Sequence, residues 1–162
     1  MKILHVFPEY PHTGWSLKQA LNFSPRKSLS PPLGFLSATN LLPDSWETRI
    51  IDMNVERLLI EDILWADYVF LSATHTQIQS VLYVIDRCKA LLTPTVAAGP
   101  LFNTDYQKFG KVEHLILKDL QTTLPLFLND LETGDTKHIY STNEFANIGE
   151  APLWDYLLAR QN

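Results

Sequence analysis

The chain opens on a run that is apolar on both sides. Within Lys2–Phe7, Ile3, Leu4, Val6 and Phe7 put hydrophobic side chains on both faces of an extended segment. A strand that must be covered on both faces belongs to a parallel sheet held between helices. Pro8 ends the run, because proline has no N–H to give to a ladder. Similar runs predict strands at Glu47–Asp52, Tyr68–Ala73, Thr95–Ala98 and Glu113–Leu117. Between them, apolar positions spaced by three and four predict helices over Gly34–Leu42, Ile60–Trp65, Ile78–Leu92 and Leu120–Leu131. The clearest is Ile78–Leu92, with Ile78, Val81, Leu82, Ile85 and Leu92 as its apolar positions and Thr93-Pro94 as its stop. In the last helix Leu124, Phe127, Leu128 and Leu131 point inward, and Gly134 lies beyond its end.

This alternation of strand and helix predicts an α/β domain over residues 1–134. The expected architecture is a doubly wound, five-stranded parallel sheet of order 2-1-3-4-5, flavodoxin- or Rossmann-like. Residues 135–162 read as a C-terminal extension or linker, in which His138–Ser141 fits an edge strand and Leu153–Leu158 is apolar again. In such a fold, ligands bind beyond the carboxyl ends of the strands. The loops that meet there are Glu9–Leu33, Asn54–Leu58, Ser72–Thr76 and Gly99–Asn103. The first is long, carries Tyr10, Trp15, Leu21 and Phe23, and is expected to pack over that end, with Leu17–Phe23 as a helical turn or two. Ser72, Ala73, Thr74, His75 and Thr76 are small or polar, which leaves room for a ligand and offers a helix cap. Gly99 permits a positive φ or a close backbone approach.

Composition narrows the function. The 162 residues carry 18 acidic and 13 basic side chains, a formal charge of -5, which is not the basic footprint of a nucleic-acid binder. No apolar run approaches the ~20 residues of a membrane span, and the chain starts on a strand rather than a leader, so the expectation is a soluble, cytoplasmic protein. The single cysteine, Cys88, excludes a disulfide within the chain, a zinc knuckle or a cysteine-ligated iron–sulfur cluster supplied by this chain alone. It falls on a helix face and reads as a buried core residue.

Neither a G-x-G-x-x-G nor a G-x-x-x-x-G-K-[ST] motif is present, so a dinucleotide or nucleoside-triphosphate site is not expected. Glu9 stands alone at the end of the first strand, unlike the acidic cluster of a phosphoacceptor site. His12 and His75 are the histidines best placed for proton transfer or metal ligation, although neither has a partner at metal-ligand spacing. A small enzyme built on one of them is one open reading. His5 lies inside a strand and reads as a core histidine; His114 and His138 read as structural or solvated. Trp46, Trp65 and Trp154 read as packing residues, and Trp15 is kept as a crevice aromatic. Asp52, at a strand end, suits either a ribose or amide contact or a loop cap.

Taken in order, MKILHVFPEYP, SPPLGFLSATNLLP, ETRIIDMNVE, WADYVFLSATHTQ and AAGPLF resemble the N-terminal cobalamin-binding domain of radical S-adenosylmethionine enzymes. The similar branch includes magnesium-protoporphyrin monomethyl ester cyclases and hopanoid methylases. The resemblance covers most of residues 1–131, and APLWDYL is similar to the segment that leads into the radical barrel. It implies a corrin lying on the carboxyl end of the sheet, held by Pro31-Pro32-Leu33-Gly34, by Ser72-Ala73-Thr74 with His75, and by Gly99-Pro100. It also implies a separate or missing radical S-adenosylmethionine module as partner, with no catalysis and no iron–sulfur cluster in this chain. The chain departs from the pattern in several places, among them Ala98-Gly99 where the family often has two glycines before the proline. The Asp-x-His-x-x-Gly cobalt-ligating motif is absent, so no metal ligand is assigned, with His12 the nearest candidate. After the fifth strand the family usually carries Gly-Glu-x-Glu, where this chain has Lys118-Asp119-Leu120-Gln121 and a lysine that blocks the platform. A domain that has kept the fold but binds another ligand, such as a tetrapyrrole, or a protein partner is the alternative.

Overall fold

The computed structural model describes residues 1–11 and 38–144. Its strands are β1 (Lys2–Phe7), β2 (Glu47–Asp52), β3 (Tyr68–Ser72), β4 (Thr95–Ala98), β5 (His114–Ile116) and β6 (Ile139–Tyr140). They form one sheet of order β2-β1-β3-β4-β5-β6, and every neighbouring pair is parallel. This is the doubly wound α/β architecture with the expected 2-1-3-4-5 order, extended by a sixth strand at the edge. Two residues suffice for β6 because the Leu115 and Leu117 N–H groups donate to the His138 and Tyr140 carbonyls. β1 is an interior strand, next to edge strand β2, and is buried from Ile3 to Val6, as its two-sided apolar pattern requires.

The described helices are α1 (Ile60–Trp65), α2 (Ile78–Ala90), α3 (Pro100–Asp105) and α4 (Leu120–Thr133). α3 lies in a stretch whose sequence reads only as a connection. Its signal is local: Gly99 precedes it and Pro100 occupies its first turn, where the missing N–H has no partner to lose. α2 ends two residues earlier than its apolar pattern suggests. Leu92 is not an inward residue but 90% exposed, with φ +57, and Leu82 is exposed as well. The buried stripe is Val81, Val84, Ile85 and Cys88, the i, i+3, i+4, i+7 positions that face the sheet.

The two faces of the sheet bury different sets. One packs Leu4, Val6, Val69, Leu71, Ala97 and Leu115 against α1, α2 and α3. The other packs Ile3, Phe70, Val96 and Ile116 against Ala38, Leu42 and α4, through Leu124 and Phe127. Of the predicted Gly34–Leu42 helix, residues 38–42 fall among the described residues: Ala38 and Thr39 are helical, but the chain turns from Asn40, so the helix ends three residues earlier than predicted; the Leu17–Phe23 turn lies outside the described residues.

Past Pro8 the chain is held by three side chains. Asn54 and Gln77 both donate to the Pro8 carbonyl, Ser80 Oγ accepts the Glu9 N–H at 2.9 Å, and Asn54 Oδ1 accepts the Tyr10 N–H at 2.9 Å. The exit of β1 is therefore tied to the ends of β2 and β3.

Candidate functional site

The site is built where the ends of β3 and β4 cross. β3 finishes at Ser72 and β4 at Ala98, and the next residue, Gly99, has φ +103. A Cβ on Gly99 would lie 3.0 Å from Ser72 Oγ and 3.3 Å from the Ala73 carbonyl oxygen. Both the backbone angle and the contact therefore demand glycine. The Leu101 N–H donates to that same Ala73 carbonyl at 3.1 Å, fixing the two turns together.

Beside this crossing, at the carboxyl ends of β3, β4 and β5, lies a cavity of about 270 Å³. Its floor is Phe70, Val96, Ile116 and Leu124. Ser72, Gly99 and Pro100 form one rim; Lys118, Asp119, Leu120 and Gln121 form the other; Ala38 closes a side. The period of two explains this lining: Phe70 and Ser72, Val96 and Ala98, and Ile116 and Lys118 are alternate residues of three adjacent strands and their exits, so each pair shares a face. The floor is hydrocarbon and aromatic, and the polarity is all at the rim.

The second rim turns at Lys118, whose φ is +67. Its N–H donates to Asn103 Oδ1 at 2.7 Å, and its ammonium donates to Asn143 Oδ1. Asp119 is the N-cap of α4, and its carboxylate accepts from Thr122 Oγ1 at 3.2 Å. The buried Thr123 hydroxyl donates to the Leu117 carbonyl at 3.1 Å, anchoring the first turn of α4 to the end of β5.

Of the residues singled out in the sequence, Ser72, Gly99 and Pro100 line the cavity. Ala73 is buried next to them and contributes its carbonyl. Thr74 and His75 lead away from it. The Thr74 N–H is capped by Gln77 Oε1 at 2.9 Å, and His75 is exposed at the start of a 3-10 turn, His75–Gln77. Pro31, Pro32, Leu33, Gly34 and His12 lie outside the described residues. Among the described residues, no three His, Cys, Asp or Glu side chains are grouped to hold a metal ion. No described helix is long and apolar enough to cross a membrane.

His5 lies on the cavity face of the sheet, edge-on to Phe70 at 5.4 Å between ring centroids. Burial lowers its pKa to about 4, so its imidazole is neutral at neutral pH. Cys88 is fully buried and burial pushes its thiol up to about 12, which leaves no thiolate for chemistry. His114 is also placed structurally, with Nδ1 2.6 Å from the Lys137 carbonyl.

Phe70, Val96, Ile116 and Leu124 read in the sequence as ordinary core, and their shared wall exists only once three strands and α4 are assembled. Asn103 and Asn143 carry no pattern at all; their partner, Lys118, was the visible signal.

The chain is thus a doubly wound α/β unit with a glycine at the meeting of two strand ends and an apolar cavity beside it, at the sheet end where ligands bind in open α/β folds. Two curated proteins are similar to it over nearly its whole length. One is described as an uncharacterized methyltransferase of Synechocystis sp., 31% identical over 158 residues, which is 96% of this chain and 30% of that protein. The other is a hopanoid C-2 methylase of Rhodopseudomonas palustris, 32% identical over 163 aligned positions, 98% of this chain and 31% of that protein. The chain thus spans under a third of the length of these relatives. No family model matches the chain, and no solved structure matches it.

Proposed function

We propose that this chain is a corrinoid-binding module that holds cobalamin at the carboxyl end of its sheet and presents it to a radical S-adenosylmethionine module. The observation that carries the reading is the Gly99 crossing, which places bare backbone beside Ser72 at the lip of an apolar cavity. The similarity to two methylating proteins supports it. A corrinoid is a broad apolar plate fringed with amides. It is suited by a hydrocarbon floor, by the small side chains of Ser72, Ala73 and Ala98, and by polar groups confined to a rim.

Size decides how such a ligand would sit. At about 270 Å³ the cavity falls just below the roughly 300–1,000 Å³ of pockets that enclose a drug-sized molecule. It would hold only part of a corrinoid. Ser72 would orient that part by a hydrogen bond, Gly99 and Pro100 would offer close backbone, and Phe70 and Leu124 would exclude water. Bound cobalamin supplies methyl-transfer chemistry at cobalt; this chain's residues bind and orient it, and the radical step belongs to the partner. In this reading the binding unit is residues 1–134, and the extension from residue 135 contributes β6 at its edge. Ser72, Ala73, Thr74, His75, Gly99 and Pro100 are the proposed contacts, joined by Pro31–Gly34, and His75 would have to reach the plate from outside the cavity.

The test is titration of the purified chain with hydroxocobalamin and methylcobalamin, read by absorbance and gel filtration. Co-elution near one-to-one with a spectral shift is expected. No binding at ~100 μM, roughly −5.5 kcal/mol, would sink the reading. That result would favour the second one, a repurposed domain with a different ligand such as a tetrapyrrole or with a protein partner. The observation on its side is Lys118 on the cavity rim.

A further inference from the structure

We infer that Lys118 is a gate on the cavity and that the gate is latched to the C-terminal segment at Asn143. The inference rests on the binding reading above and specifies how that site is controlled. Two observations make Lys118 unusual. It is one of two non-glycine residues with positive φ among the described residues, and it is the one that lines the cavity. Its conformation is held from both sides: Asn103, on α3, accepts its N–H, and Asn143 accepts from its ammonium. A residue kept in a sparsely populated conformation by surrounding contacts marks a place where the structure has an alternative.

The two rims differ in what they can do. The Ser72–Gly99–Pro100 rim is a close approach of two turns, joined by the Leu101 N–H bond to the Ala73 carbonyl. The Lys118 rim is closed by a long, exposed side chain whose hold is a hydrogen bond to an exposed asparagine. A ligand larger than the cavity must cross a rim, and of the two rims among the described residues this one yields more easily. Once the ammonium leaves Asn143, the segment at Asn143–Glu144 keeps its other tie, Glu144 O accepting from Thr122 Oγ1 at 3.2 Å on the first turn of α4. Filling the mouth therefore removes one of the two ties on residues 143–144 and eases their opening, and fixing that segment elsewhere opens the mouth. The coupling is reciprocal, as any linked pair of equilibria must be.

The test uses the 162-residue chain and its Lys118→Gly and Asn143→Ala variants. Glycine is at ease at this φ and asparagine 143 is exposed, so both variants fold. Each protein is titrated with hydroxocobalamin by absorbance, and amide hydrogen exchange is followed at residues 118–123 and 140–144. Both variants should bind about three- to tenfold more tightly than the parent, the range set by the net worth of one solvent-exposed hydrogen bond. Saturating hydroxocobalamin should speed exchange at 140–144 in the parent. Equal affinities with unchanged exchange overturn the gate and leave corrinoid binding standing. Tighter binding by Lys118→Gly alone makes the lysine mere bulk and overturns the latch. If none of the three proteins binds, the binding reading itself fails, and exchange alone decides: Asn143→Ala must then speed exchange at 118–123, and an unchanged rate overturns the latch too.

Discussion

The two faces of the sheet are built from the same strands and do different work. On the face covered by α1, α2 and α3, the buried side chains of the described residues are mostly aliphatic or phenyl, the exceptions including the Cys88 thiol and the Thr95 hydroxyl, which donates to Glu113 Oε2 at 2.7 Å; Phe102 and Phe109 pack there at 4.7 Å between rings. The face covered by α4 carries His5, Tyr68, His114 and Tyr140 among its aromatics, and the cavity opens at its carboxyl end. One face is packed almost wholly with apolar side chains. The other also takes in polar rings and unfilled space, which cost stability.

The most forceful way to test this contrast is to truncate one phenyl ring on each face. Phe102→Ala removes a fully buried side chain from the closed face and should destabilise by about 3–5 kcal/mol. Phe70→Ala, on the cavity floor, should cost less, because one side of that ring already fronts open space and has fewer contacts to lose. Urea midpoints for both variants check the ordering. Equal losses would mean that the cavity is filled in solution and that the faces are packed alike.

Acid should strike the cavity face first. The His5 pKa is about 4 in the folded chain against 6.5 for the free side chain, and its cause is burial. Between those values the unfolded chain binds a proton that the folded chain refuses, so stability falls as pH falls. The contribution is fully present above pH 6.5 and lost as the pH drops through about 4, and it amounts to roughly 3 kcal/mol. Urea unfolding at pH 7 and pH 4.5 measures it, and His5→Leu should remove most of the difference between the two. The lowered pKa of Asp130, held down by Lys137, adds a separate loss at lower pH that persists in the variant.

How much of this was legible beforehand follows from how local each cause is. β1 and β3 could be read because two-sided apolarity is written in consecutive residues, and Gly99 because a glycine at a strand end has few other uses. The cavity floor could not. Phe70, Val96, Ile116 and Leu124 are each unremarkable core residues, brought together by parallel pairing and by a helix that begins four residues after β5. His75, chosen for its place after β3, is carried outward when Gln77 caps Thr74 and turns the chain into a 3-10 turn. Leu92 misled because its spacing continues the α2 pattern past the point where the backbone reverses. Lys118 was noticed as a lysine in a glycine's place, but the two asparagines that hold it lie 15 and 25 residues away in sequence.

A smaller effect separates the glycine crossing from ordinary turns. Gly99→Ala puts a Cβ against Ser72 Oγ and the Ala73 carbonyl, at a φ that L-residues avoid. The expected loss is about 2 kcal/mol, read by thermal unfolding, together with weakened hydroxocobalamin binding because Ser72 must move. A variant as stable as the parent would show that the two turns are not in contact and would remove the cradle from the cavity rim.

The smallest expected effect is a gain, and it concerns how the helices covering the two faces end. α4, on the cavity face, ends at Gly134 with φ +78, and the Asp135 N–H closes back on the Asp130 carbonyl at 2.9 Å. α2, on the closed face, ends in the same way: the Thr93 N–H donates to the Cys88 carbonyl at 3.0 Å and the Leu92 N–H to that of Lys89 at 3.2 Å. That is the Schellman arrangement, in which the residue at positive φ is usually glycine. Here it is Leu92, 90% exposed, with its side chain in solvent. Nothing compensates the strain, in contrast to Lys118, whose side chain has Asn143 as a partner. Leu92→Gly should therefore stabilise the protein by about 0.5–1 kcal/mol, the relief of the backbone strain less the greater freedom of glycine in the unfolded chain. Lys118→Gly relieves the same strain but gives up a hydrogen bond, so its gain should be smaller. If thermal unfolding reverses that order, the Asn143 contact contributes nothing in solution, and the positive φ at residue 118 is an accident of the turn, as it is at residue 92.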